Sequence, residues 1–287
     1  MISIQSGETG EILTCQDEKT AHQLVQTGKF VVVESTKKET TGLHPISARE
    51  LCKTKPPKDW IIEGLQRPGE IEMDYSEAGG LKSILAMYRV VCVASGLPFF
   101  GLATKKSPVV IIDNENSIPL LATRWNRILK GMQLKRKKLS VDLFIHKGQL
   151  DFGDFKDIVR QYLIDNKVGL LVIDTARRVH GKDENSSQEM NELYKIFSDL
   201  ISGTKTALLL LHHANKNDDY RGSTDLKGML DVLVKVKKTF NTTKFRLINE
   251  KNRWGEVPPI AGEVVFDDTE NHTGQIVFTQ TTEEISQ

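Results

Sequence analysis

The chain has 287 residues, 39% of them hydrophobic and 27% charged, a makeup that suits one large α/β domain with appendages and excludes a disordered or low-complexity chain. Its 39 Lys and Arg against 38 Asp and Glu give a formal net charge of +1, which excludes a histone-like basic chain and confines any nucleic-acid contact to local patches. Cys15, Cys52 and Cys92 form no C-x-x-C pair and no apolar run approaches membrane-spanning length, so zinc sites, disulfide frameworks and membrane contact are not expected, and a cytoplasmic location is.

Residues 1–58 read as a small N-terminal appendage: a polar helix around Glu18 to Gln26, a β-type run Phe30 to Glu34, then a polar stretch. Lys53-Thr54-Lys55-Pro56-Pro57 breaks regular structure and marks the hinge to the main domain, taken as 59–280, with 281–287 a polar tail. His22 and His44 read as surface or loop histidines.

From Trp60 strands and helices alternate, as in a mainly parallel sheet covered by helices. Glu70 to Tyr75 alternates like a strand, and Ile84, Leu85, Met87, Tyr88, Val91 and Cys92 recur at helical spacing. Between them lies Ser76-Glu77-Ala78-Gly79-Gly80-Leu81-Lys82-Ser83, a phosphate-binding loop in the required strand-turn-helix setting. In the strict pattern G-x-x-x-x-G-K-[ST], backbone N–H groups wrap the phosphates, the lysine reaches the terminal ones and the hydroxyl holds Mg²⁺. Lys82 and Ser83 match, while Ser76 and Leu81 replace the two glycines. By itself the octet reads equally as a glycine-rich turn with an exposed lysine.

Two wholly apolar strands follow, Pro108 to Ile112 closing in Asp113-Asn114-Glu115-Asn116, and Val168 to Ile173 closing in Asp174-Thr175. Carboxylates at strand C-termini are where open α/β sheets present ligands to a site. Glu115 is therefore a candidate general base and Asp174 the candidate Mg²⁺ carboxylate. Between these strands come a helix through Leu120, Trp125 and Leu129, the run Lys135-Arg136-Lys137-Lys138, read as a solvated loop, a strand from Val141 to Ile145 and a helix from Phe155 to Ile164. A helix through Met190, Leu193, Phe197 and Leu200 leads to the strand Ala207 to Leu211, which ends in His212-His213. Adjacent strand residues point to opposite faces, so at most one of the two histidines can face a site shared with Glu115 and Asp174.

The loop from Asn217 to Ser223 is polar, and the chain then turns to β-type segments at Val232 to Val236, Lys244 to Ile248, Glu263 to Phe266 and Gln275 to Phe278. In Lys251-Asn252-Arg253-Trp254-Gly255, two cations two residues apart share one side if the segment is extended, which suits a single anionic group.

Over about Trp60 to Gly255 the chain resembles the RecA-like P-loop ATPases, and within them the hexameric plasmid-replication helicases of the RepA type. The resemblance is carried by Asp174-Thr175-Ala176-Arg177-Arg178-Val179-His180, by Asp183-Glu184-Asn185-Ser186-Ser187 and by His212-His213-Ala214-Asn215-Lys216. Lys251-Asn252-Arg253-Trp254-Gly255 is similar to the K-N-R-F-G motif of the DNA-repair protein RadA. The resemblance implies an α/β RecA-like core with a mainly parallel sheet, a β-rich C-terminal part, ATP and Mg²⁺ at subunit interfaces, and a homo-oligomeric ring, as a hexamer, around single-stranded DNA. It further implies His213 as sensor of the terminal phosphate, Glu115 as the water-orienting base, and Lys251 and Arg253 as cations acting on a neighbour's nucleotide. Lys216 and Arg221 become the expected DNA contacts. Two functions follow: a helicase-type motor in plasmid, phage or mobile-element replication, with replication partners, or a nucleotide-dependent DNA-binding and loading module without unwinding.

Overall fold

The computed structural model describes residues 2–9, 12–15, 18–34, 46–55, 58–135, 139–145, 152–184, 186–215, 220, 224–267 and 274–281. The chain divides into two units, Met1–Pro57 and Lys58–Gln287. In the first, strands β1 (Ile2–Ser6), β2 (Ile12–Cys15) and β3 (Phe30–Glu34) form an antiparallel sheet in the order β2-β1-β3, with helix α1 at Glu18–Gln26. A short helix, α2 (Ala48–Leu51), starts on a capping box in which the Ser47 hydroxyl accepts from Glu50 N and the Glu50 carboxylate accepts from Ser47 N.

The second unit is built on a nine-stranded sheet ordered β12-β11-β10-β9-β4-β8-β7-β5-β6. Strands β4 (Ile71–Ser76), β5 (Val109–Asp113), β6 (Val141–Ile145), β7 (Leu170–Asp174), β8 (Ala207–His213) and β9 (Val232–Lys238) run parallel. Strands β10 (Lys244–Asn252), β11 (Ile260–Phe266) and β12 (Ile276–Gln280) extend the β9 edge as an antiparallel meander. The α/β class, the mainly parallel sheet and the β-rich C-terminal part are as expected from the sequence.

Two apolar layers sandwich the sheet. Helices α3 (Lys82–Ser95) and α4 (Ile118–Gly131) cover one face with Val90, Val91, Leu121 and Ile128, meeting Val109, Ile111, Val172 and Leu209. The meander joins this layer, Phe278 stacking on Tyr88 with centroids 4.1 Å apart. Helices α5 (Phe152–Asp165), α6 (Ser187–Ile201) and α7 (Thr224–Met229) lie on the other face, where Leu163, Phe197 and Leu226 pack on Ile71, Met73, Leu171 and Leu210. The all-apolar strands β5, β7 and the Ala207–Leu211 part of β8 are buried on both sides, which is why their sequences show no alternation.

Strand β4 alternates in sequence but is also buried throughout. Ile71, Met73 and Tyr75 enter the α6 layer, while Glu72 and Asp74 face α3 and meet Arg89, whose Nη1 donates to Glu72 Oε1 at 2.7 Å and Nη2 to Asp74 Oδ2 at 3.1 Å. Burial pushes Glu72 well above the usual carboxylate range and raises Asp74 too, opposed in each case by the guanidinium. The group thereby keeps a proton and avoids an uncompensated buried charge. It ties the strand before the phosphate loop to the helix after it.

Candidate functional site

Residues Glu77–Leu81 form the turn between β4 and α3. Gly79 has φ +75°, a region open to glycine at no steric cost. At Gly80 a Cβ would fall 2.6 Å from Ser76 Oγ and 2.7 Å from Ser76 Cβ. The serine that replaces the first expected glycine thus fills the space that Gly80 leaves, and its hydroxyl donates to Glu77 O at 2.9 Å. Leu81 adopts φ 71° and ψ 0°, left-handed values that cost a residue with a Cβ roughly 1–2 kcal/mol. Its side chain packs against the α3 layer, which offsets part of that cost. Leu81 supplies no side-chain cap, so the first-turn N–H groups of α3 remain for an anion.

Four strand ends converge on this turn. Lys82, 6% exposed, places Nζ 3.1 Å from His213 Nδ1. An ammonium only donates, so Nδ1 accepts and the ring proton sits on Nε2. That Nε2 lies 3.7 Å from Glu115 Oε2. Neighbouring His212 turns to the opposite face, where its Nε2 is 3.7 Å from Glu184 Oε1. A cavity of about 260 Å³ opens over Gly79, Gly80, Lys82, Ser83, Glu115 and His213.

The charges here are unevenly matched. Contact with His213 holds Glu115 below the usual carboxylate range, with Lys82 and Arg178 adding to the effect against partial burial. Glu115 is therefore ionised at neutral pH. Burial lowers the Lys82 pKa, and Asp174 and Glu115 pull it back. Asp174 is pushed up to about 6, chiefly by burial, with Ser83 beside it favouring the charged form and Asp113 and Glu115 opposing it.

Asp113 and Asp174 end neighbouring strands, yet only one is available. Asp113 accepts from Glu115 N at 3.0 Å and Asn116 N at 2.8 Å through Oδ1, and from Asn116 Nδ2 at 2.9 Å through Oδ2. Asp174 Oδ2 receives one long bond, from Asn116 Nδ2 at 3.5 Å, and its buried Oδ1 has no hydrogen-bond partner among the described residues. An orphaned carboxylate oxygen beside a serine hydroxyl fits Mg²⁺, which takes one or two carboxylates and completes its shell with phosphates and water. Among the described residues there is no group of three or more His, Cys, Asp and Glu placed to hold a metal.

Lys251 and Arg253 lie at the far end of the sheet. Asn252 pairs with Val232, which pairs with Glu72 near the start of β4, whereas the phosphate loop leaves from Ser76 at its end. That separation is roughly 13 Å at about 3.3 Å per residue, before side chains are added. Lys251 Nζ donates to the carbonyls of Lys227 and Gly228, and Arg253 pairs with Asp231, Nε to Oδ1 at 2.9 Å. The two cations do converge on one corner, the α7–β9 turn, but not on their own chain's phosphate loop. Lys216 and Arg221 lie outside the described residues.

Sequence reasoning missed Asn114, Asn116, Arg124 and Arg178. Asn114 Oδ1 accepts from Thr175 N at 2.9 Å, and Arg178 Nη1 donates to Asn114 O at 3.2 Å, which fastens the Glu115 loop to β7. Arg124 reaches Asn116 Oδ1 at 3.4 Å and borders the cavity together with Phe266 of β11. The Arg177-Arg178 pair was visible as a motif, but nothing in its spacing pointed to Glu115.

Comparison with known proteins agrees with this geometry. The solved ATPase domain of a helicase superposes with a TM-score of 0.56 at 11% identity, covering 74% of this chain and 85% of that one. The RadB recombinase superposes with a TM-score of 0.53 at 12% identity, covering 73% and 90%. At such identities the likeness establishes the fold, a RecA-like P-loop ATPase core. The family profile described as AAA domain, AAA_25, matches residues 37–219, beginning upstream of the hinge and ending before the Lys251–Gly255 motif. Because that match spans more than half of the chain, the protein belongs to the AAA domain family AAA_25.

Proposed function

We propose that the chain is an ATP-hydrolysing motor of the hexameric helicase type, acting on single-stranded DNA in plasmid, phage or mobile-element replication. The observation that supports this best is the contact chain Lys82–His213–Glu115 at the mouth of the phosphate loop. Ser83 and Asp174 would hold Mg²⁺, which when bound neutralises phosphate charge. The loop N–H groups of residues 77–83 take the phosphate oxygens, and Lys82 exchanges its bond to His213 for one to the terminal phosphate. Ionised Glu115 orients water for in-line attack. His213, released by Lys82, registers whether the terminal phosphate is present. It is the last residue of β8, and the chain runs from it directly toward Lys216 and Arg221, the proposed DNA contacts. Lys251 and Arg253 would stabilise the transition-state charge in a neighbouring protomer's site, since they cannot reach their own.

Phosphate release measured with and without single-stranded DNA, beside strand displacement on a forked duplex, tests the reading. DNA-stimulated turnover with unwinding is expected. Turnover without unwinding favours the second reading, a nucleotide-dependent DNA-binding or loading module, to which the left-handed strain at Leu81 lends support as a brake on loop rearrangement. Failure to bind ATP saturably overturns both.

A further inference from the structure

Trp254 is exposed over 47% of its surface, yet it is held from several sides. The Arg67 guanidinium lies 3.8 Å from the centroid of the Trp254 ring and 3.8 Å from that of Trp60, so one buried cation is sandwiched between two indoles. Trp254 Nε1 donates to Glu70 Oε1, and the second oxygen of that carboxylate accepts from Arg67 N at 2.8 Å. Asn252 Oδ1 accepts from Trp254 N at 2.9 Å, and its Nδ2 donates to Gly64 O at 3.0 Å. One face of the indole is therefore fixed on a built support while much of the rest faces solvent. An exposed tryptophan whose rotamer is already fixed has little conformational entropy left to lose on binding, and such residues dominate interface energetics.

Its neighbour Arg253 has Nε on Asp231 and Nη2 on Met229 O at 3.2 Å, which leaves Nη1 of an exposed guanidinium without a partner among the described residues. Lys251 and Lys227 are close by, Lys251 Nζ lying on the Lys227 carbonyl. The surface that complements these cations is the phosphate cavity of a second copy. Exposed Glu77 borders it, half-buried Glu115 and buried Asp174 carry its negative charge, and bound phosphates would add more. The same chain's cavity is out of reach at the other end of β4.

From this geometry we infer that Trp254 is the anchor by which the start-of-β4 end of one chain docks on the rim of a second copy's phosphate cavity, fixing where Arg253 lands. The inference rests on the oligomeric ATPase reading and adds the residue that makes the contact. Arg67 and Trp60 act as its support.

The test uses the full chain with Trp60→Phe and Trp125→Phe, which leaves Trp254 as the single indole. Native mass and tryptophan emission are followed together as protein is titrated with a non-hydrolysable ATP analogue and Mg²⁺. The emission of Trp254 should shift to the blue as the mass rises. In the otherwise unaltered chain Trp254→Ala should raise the protein concentration needed for half-assembly roughly tenfold or more, with Trp254→Phe restoring most of the loss and thermal melts confirming that both fold. Assembly of Trp254→Ala at the unaltered concentration overturns the inference alone. So does an emission shift caused by single-stranded DNA with no change in mass, which would assign the indole to nucleic acid. If the unaltered chain does not assemble with nucleotide at all, the oligomeric reading falls and the inference falls with it.

Discussion

At the C-terminal ends of β4, β5, β7 and β8 the polar side chains are left incompletely matched, whereas at the start of β4 and the end of β10 they are already tied to their own chain. Asp174 has an orphaned oxygen, Lys82 rests on a histidine rather than a carboxylate, and Glu115 meets His213 at 3.7 Å. Asp231, by contrast, accepts from Ile71 N at 2.9 Å while it holds Arg253, and Glu70 binds both Trp254 and Arg67. One end is arranged to receive charge and the other to present it. Strand β4 joins them, with the phosphate loop at its exit and Asp231 bonded to its first N–H. A neighbour's pull on Arg253 would therefore bear on the strand that leads to the chain's own loop.

The largest expected effect comes from emptying the receiving end. Lys82→Ala removes the buried cation that meets the terminal phosphates, and ATP turnover measured by phosphate release should fall by roughly three orders of magnitude or more. Glu115→Gln keeps the shape but not the charge. ATP binding should persist while turnover falls roughly 10²- to 10⁴-fold. Normal turnover in that variant removes Glu115 from the base role.

Mixing variants sharpens the contrast between the ends. Arg253→Ala alone should lose activity about as severely as Glu115→Gln, since a trans arginine contributes on the order of 10³-fold or more. In a mixture, sites that combine intact Glu115 from one variant with intact Arg253 from the other are complete. Activity should then recover to about a quarter of the unaltered level if protomers pair at random and Arg253 acts between chains. A mixture as inactive as its components would place Arg253 outside catalysis.

How far the sequence disclosed these ends depended on what kind of signal each carried. Asp174 and Glu115 were legible because buried parallel strands are continuous apolar runs whose first polar residue marks the sheet edge. The choice of Asp174 over Asp113 was not, since it turns on Asn116 spending its N–H groups on Asp113, a local turn with no periodic signature. Arg89 was hidden because a single cation inside an apolar helix pattern looks like an exposed face until Glu72 and Asp74 are seen to be buried. The Arg67 sandwich joins Trp60 to Trp254, residues far apart in the chain, and leaves no local trace.

A smaller effect is expected with pH. Burial depresses His180 to about 4 from the ordinary 6.5, while Glu184 opposes that shift and Arg177 and His212 add to it. The folded state therefore resists the charged imidazole, and its stability contribution is complete above pH 6.5 and lost as pH falls toward 4. The loss should be on the order of 1–3 kcal/mol in thermal melts across that window. His180→Leu should flatten the dependence. An unchanged slope would assign the acid sensitivity to other groups. His180 lies beside His212 on the face opposite His213, so binding at the phosphate cavity should change little over the same range if the two faces of β8 act independently.

The finest test concerns the loop itself. Ser76 and Gly80 occupy one space, because a methyl group at position 80 would meet Ser76 Oγ at 2.6 Å. Gly80→Ala should therefore displace Ser76, which is fully buried and cannot move outward freely, and weaken ATP binding. Ser76→Gly alone removes one hydroxyl bond to Glu77 O and leaves a small void, a cost of about 1 kcal/mol. Combined, the two changes restore the glycine-first arrangement of the strict pattern and relieve the clash. The double variant should bind ATP better than Gly80→Ala alone, with a coupling of roughly 1 kcal/mol or more in a double-mutant cycle read by nucleotide titration. Additive losses would mean that the loop relaxes around the new methyl group independently of Ser76, and that its departure from the glycine pattern is not a paired exchange.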